Sequence, residues 1–206
     1  MDPAVALVQA YLQLNGYLTV TEFPITSGSG SDAGQAITDI DLIALRFPNA
    51  RGIGGWHRGS AETDPILRVG DGAMDLLICE VKEGKARLNP NLTRSDTLAK
   101  TLARVGCCPP AHVGHHVESL IHSGVADMDH GGTRCRARIA VFAGRLGHPA
   151  RTPLVVSLGH AACYVRDFLD DNREMLQAAR FSQPALAQLS LLTKLGLFDS
   201  PVVPPR

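Results

Sequence analysis

Apolar residues recur at Val5, Val8 and Leu12, a spacing of three and four that lines one side of a helix. Asp2 followed by Pro3 starts that helix, and Asn15-Gly16 stops it. Residues 17–25, rich in Thr, Val, Tyr and Phe, read as a strand ended by Pro24 and the Ser-Gly run at 27–31. A hairpin is the expected connection to a second strand over 36–47, which Pro48 closes. The run at 74–81, MDLLICEV, is apolar almost throughout, as expected of a strand covered on both faces and therefore central in a sheet.

Residues 93–105 and 112–122 read as helices separated by the break Gly106-Cys107-Cys108-Pro109-Pro110. Strands follow at 138–143 and 153–158, then helical turns over 160–181 and a last helix at 184–195. Between the second and third strands, the glycine-rich stretch 48–73 reads as an irregular loop. This order predicts a mixed α/β (α+β) domain, one central sheet flanked by helices. Residues 1–199 form a single domain in this reading, with a core of 1–105 and 136–181, a helical insertion at about 106–135, and a Pro-rich tail at 200–206.

Composition narrows the classes. With 206 residues, 45% hydrophobic and 19% charged, the chain has the make-up of an ordinary folded domain. It has no apolar run long enough to span a bilayer and no secretory leader pattern, so the expectation is a cytoplasmic protein without a membrane partner. Five cysteines, two of them adjacent, argue for reduced thiols over a disulfide framework. Net charge is zero but segregated: the first 45 residues hold five acids and no Lys or Arg, whereas 82–104 holds six basic residues against two acids. That asymmetry suits a carboxylate metal site beside a phosphate-binding surface, and it equally suits an ordinary solvated face.

Charge enters apolar, strand-like sequence at two places, Asp39-Ile40-Asp41-Leu42-Ile43-Ala44 and Cys79-Glu80-Val81-Lys82. A lone buried carboxylate is costly unless paired, protonated or metal-bound, so converging acids point to a cation. Alternation along a strand puts Glu80 and Lys82 on one face, with Cys79 and Val81 on the other. If the two strands are neighbours, Asp41 and Glu80 offer hard oxygen ligands of the kind Mg²⁺ accepts, and Lys82 lies near enough to position or deprotonate a water.

These residues resemble the PD-(D/E)xK nuclease superfamily, which includes restriction endonucleases and Holliday junction resolvases. Ile40-Asp41-Leu42-Ile43-Ala44 matches the first half of its pattern and Glu80-Val81-Lys82 the second, 80 − 41 = 39 positions later. The resemblance implies Asp41 and Glu80 as ligands of Mg²⁺ or Mn²⁺, the Val81 carbonyl as a third ligand, Lys82 as the catalytic base or water-orienting group, and nucleic acid, DNA first, as substrate. Ile40 stands where the pattern has Pro, and the 48–73 stretch lengthens the spacing. Glu22 and Asp39 are accessory candidates, and Lys85, Arg87, Asn89 and Arg94 are placed to meet phosphate. Asp75, of opposite parity to Glu80, reads as a strand cap. Substrate or partner specificity is expected in 48–73 and 106–135.

Other signals are weaker. Cys107, Cys108, His112, His115, His116, His122, His130 and Cys135 could ligate zinc, but they contain no C-x-x-C pair and no H-E-x-x-H. Ser157 lacks the leading glycine of G-x-S-x-G and reads as a strand end beside a helix start. Two functions stay open: a metal-dependent nuclease, and a nuclease-fold binding or assembly subunit that is inactive alone and either does not cut or cuts only within a complex, with a homodimer or a protein partner as the candidates.

Overall fold

Both faces of one mixed sheet are covered. The computed structural model describes residues 2–26, 36–52, 63–69, 72–147, 149, 152–176 and 179–197. The chain runs α1 (Pro3–Leu14), β1 (Leu18–Thr26), β2 (Ala36–Arg46), β3 (Ala73–Lys85), α2 (Ser95–Val105), α3 (Val113–Ser123), β4 (Val125–His130), β5 (Thr133–Arg145), β6 (Leu154–Ser157), α4 (Leu158–Asp171), α5 (Arg173–Leu176) and α6 (Pro184–Lys194). The sheet order is β1-β2-β3-β5-β4, and β6 joins β5 where β4 leaves it. β1-β2-β3 are antiparallel neighbours, while β3 and β6 both run parallel to β5. The expected α/β class, with a central sheet and β3 inside it, is what the chain forms.

Strand alternation sorts the core into two layers. Leu42, Ala44, Leu77, Cys79, Val81, Ala140 and Phe142 pack under α1, α4 and α6. Ile43, Leu76, Ile78, Ala137 and Ile139 pack under α2 and α3. Asp2 caps α1 by accepting from the Ala4 and Val5 amides, and Ser157 caps α4 by accepting from the His160 amide, as their sequence settings suggested.

Four expectations change. The 106–135 region is not a helical insertion: beyond α3 it holds β4, and β5 already begins at Thr133. Alternating Ala126, Met128, Cys135 and Ala137 face the α2/α3 layer, a period-two signal in a polar stretch that hid it from the sequence. The helical turns over 160–181 are interrupted, since α4 stops at Asp171 and only the short α5 follows within the described residues. Asp75 is no strand cap: it is fully buried, pairs with Arg138 through two guanidinium contacts, and accepts from the Tyr17 hydroxyl. Lastly, 48–73 is not wholly irregular, because Asp64 caps a single 3-10 turn at Pro65–Leu67 that packs on the α1/α4 face. The Ser-Gly run at 27–31, residues 53–62 and 70–71 of the glycine-rich stretch, and the 200–206 tail lie outside the described residues.

Candidate functional site

The two half-motifs meet where β2 and β3 part. Their ladder ends at Leu42 opposite Cys79. One step beyond, the Val81 N–H donates not to a β2 carbonyl but to Asp41 Oδ2, at 2.7 Å. A residue's N–H and C=O point to the same edge of an extended strand, so the Val81 carbonyl opens onto the same gap. A backbone irregularity lies level with it on β1. Glu22, between Thr21 (opposite Leu42) and Phe23 (opposite Ile40), has a left-handed backbone at φ 52°, rare for a non-glycine residue. Beyond this kink Ile40 joins Ile43 on the α2/α3 side, which strict alternation would forbid.

Glu80 shares its face of β3 with Leu76 and Ile78, and Lys82 follows on that face, while Cys79 and Val81 pack under α1, as alternation predicted. Lys82 Nζ forms an ion pair with Glu80 Oε1. Glu80 is buried, with 3% of its surface exposed. Burial raises its pKa above the ordinary glutamate value despite the Lys82 ammonium and a hydrogen bond from the Asn89 backbone, and the nearby Asp41 charge adds to the rise. Asp41 itself is half-buried. The site is thus two carboxylates and one lysine in a partly dry notch at a strand end.

Beside this notch Lys82, Gly84, Lys85 and Arg87 line a concave pocket of about 330 Å³. A bulge in β3 shapes it. Lys82 pairs with Ala143 and Lys85 with Arg145, so three steps on β3 match two on β5. Gly144 makes the bulge possible, since a Cβ there would overlap the Glu83 carbonyl oxygen. Arg145, exposed and opposite Lys85, adds a cation that the sequence pattern does not reveal, because only the β3–β5 register brings it there.

The remaining candidates are unequal. Asn89 approaches Glu80 through its backbone N–H, while its side chain accepts from the Asn91 amide. Arg94 sits at the N-cap of α2, outside the pocket lining, and holds Asp96 through Nε at 3.0 Å and a second nitrogen at 3.1 Å. Asp39 is exposed and opposite Pro24, so it does not share Asp41's setting. Glu22 is exposed as well, and among the described residues no three His, Cys, Asp or Glu side chains gather around one cation position. Within 48–73, Leu67 and the 3-10 turn that carries it pack on the opposite face of the sheet from Glu80, which removes that turn from this notch.

A second polar cluster lies on that opposite face. Buried Asp64 accepts from the Tyr11 hydroxyl (2.8 Å), faces His160 Nε2 (2.5 Å), and gives its own amide to Asn15 Oδ1 (2.8 Å). Burial pushes the Asp64 carboxyl up, but hydrogen bonds from His160, the Ile66 amide and Tyr11 outweigh it and hold the carboxyl below its ordinary value. Periodicity gave no hint of this cluster, since Tyr11 and His160 stand 53 and 96 positions from Asp64. Its partners satisfy one another, so it reads as a clasp fixing residues 63–69 between α1 and α4.

Compared with protein-family models, curated proteins and solved structures, the chain matches none. No helix among the described residues is long and apolar enough to cross a membrane. The functional reading therefore rests on the notch itself.

Proposed function

We propose that the protein hydrolyses nucleic-acid phosphodiester bonds, with DNA as the expected substrate, using Asp41, Glu80 and Lys82. One observation carries the reading: two acids 39 positions apart converge where β2 and β3 separate, beside a lysine and a basic concavity. The donor set fits Mg²⁺ or Mn²⁺, because Asp41, Glu80 and the Val81 carbonyl are hard oxygens around one gap. Glu80 also has the character of an under-compensated ligand, since its pKa stays raised even with Lys82 attached. A divalent ion held there would polarise the phosphodiester and acidify a water.

This chain's own groups do the rest. Lys82, fixed by Glu80, presents its Nζ to a water beside that carboxylate and orients it for attack. Asp41 is oriented by the Val81 amide, so its carboxylate needs no reorganisation when substrate arrives. Lys85, Arg87 and Arg145 lie on the exposed side, where they hold backbone phosphates without reading sequence.

The test is cleavage of linear, circular and branched DNA with Mg²⁺ or Mn²⁺ by wild type, Lys82→Ala and Asp41→Ala. Wild type should cut, and each variant should lose roughly 100-fold or more while unfolding at a similar temperature. Variants that cut as fast as wild type would sink the assignment of residues. A folded wild type inert on every substrate would shift weight to the second reading, a nuclease-fold subunit that needs a second copy or a partner. Exposed Leu18 and Val20 on edge strand β1, with Phe47 just beyond β2, favour that alternative.

A further inference from the structure

We propose that Cys107 and Cys135 form a peroxide-sensitive dithiol that closes to an intramolecular disulfide. Three of the five cysteines meet under α2 and α3. Cys107 lies in the turn after α2, which ends at Gly106 in the left-handed conformation (φ 72°), and Cys108 is buried next to it. Cys135 is buried on β5, directly opposite Met128 on β4. Cys107 Sγ sits 3.8 Å from Met128 Sδ, on top of that cross-strand pair, which places it beside Cys135 as well as next to Cys108 in sequence.

Access divides the roles. Cys107 is the half-exposed member, and Cys135 and Cys108 are buried. Its neighbour Cys107 pushes the Cys135 thiol up, and burial adds to the rise. Cys107, the member of the pair that peroxide can reach, is therefore the attacking thiol and buried Cys135 the resolving one. The oxidant is hydrogen peroxide. Attack of Cys107 sulfur on one peroxide oxygen breaks the O–O bond, giving a sulfenic acid and a hydroxide that takes up the proton Cys107 released. Attack of Cys135 sulfur on the sulfenic sulfur forms the S–S bond and breaks the S–O bond. The departing hydroxyl leaves with the Cys135 proton as a second water. Two thiols lose two electrons, and peroxide becomes two waters.

The other thiols are poorer partners. Adjacent Cys107 and Cys108 are ill placed to bridge each other. Cys79 is fully buried in the other core layer, and Cys163 is exposed on α4. Closure would tie the α2–α3 turn to β5, with α3 and β4 inside the loop. It does not depend on the phosphodiester reading.

Peptide mapping of peroxide-treated wild type under non-reducing conditions tests the proposal. The expected product is one cross-linked pair containing Cys107 and Cys135, with two of the five thiols lost and dithiothreitol restoring both. Cys108→Ser should retain the link, and Cys107→Ser should abolish it while leaving the Cys135 thiol intact. A Cys107–Cys108 link would overturn the proposal. So would free Cys107 and Cys135 thiols at a peroxide dose that oxidises exposed Cys163, or a Cys107 sulfinic acid formed without any cross-link.

Discussion

Glu80 is nearly closed off from solvent, and its cationic partner Lys82 does not fully offset that burial. A carboxyl whose folded pKa is raised is most compatible with folding when protonated, and the benefit is lost as pH rises through the folded pKa. Glu80→Gln should therefore melt higher than wild type at neutral pH, with the difference shrinking as pH falls through and below the carboxylate range. Thermal scans across that range check it, and a constant difference at every pH would show that ionisation is not the cause. At this scale the sequence was informative about identity and parity. Asp41, Glu80 and Lys82 stand out because each interrupts apolar strand sequence. It was silent about partners. Asp75 stands out for the same reason, yet its ion pair with Arg138, 63 positions away, makes it a core residue.

The bulge in β3 links an element's geometry to the placement of Lys82 and Lys85. Gly144→Ala would force a methyl group into the Glu83 carbonyl, so β3 and β5 must separate, at a cost of about 1–3 kcal/mol by analogy with overpacked cores. Gly84→Ala, one residue further along β3, meets nothing within 4 Å and should unfold close to wild type. Comparing the two melting curves isolates the effect of close strand approach from that of glycine loss alone. The sequence carried most of these elements, because β1, β2, β3 and the helices are long and periodic. β4 escaped it, since Asp127 and Asp129 make its outer face polar and leave only Ala126 and Met128 as inward signals. The bulge escaped too, as nothing in Glu83-Gly84 reveals which partner strand lies alongside.

Across the whole molecule formal charge is zero, so any attraction to a polyanion must come from local arrangement. Lys82, Lys85 and Arg87 line one concavity, and Arg145 flanks it. If the phosphodiester reading holds, binding of duplex DNA should weaken with salt, and Lys85→Ala with Arg87→Ala should flatten the log–log slope by about one for each phosphate no longer neutralised. Binding titrations at several salt concentrations measure this, and an unchanged slope would exclude both side chains from phosphate contact. Charge segregation along the chain points to this surface, because Lys82, Lys85 and Arg87 all belong to its basic stretch at 82–104. Arg145 could not be foreseen, because it is 60 positions from Lys85 and joins it only through a parallel pairing.

That pairing sets an order of events for the growing chain. β1 and β2 are local neighbours and β3 can dock on β2, but β3 has its other edge unsatisfied until β5 arrives after α2, α3 and β4. Glu80 and Lys82 therefore stay on an incomplete strand until residues up to Arg145 have been made, and long-range parallel closure of this kind is slow. Refolding followed by near-ultraviolet signals should be slower than formation of helical signal. During that interval the apolar run Leu76-Leu77-Ile78-Cys79 is the stretch most open to capture by another chain.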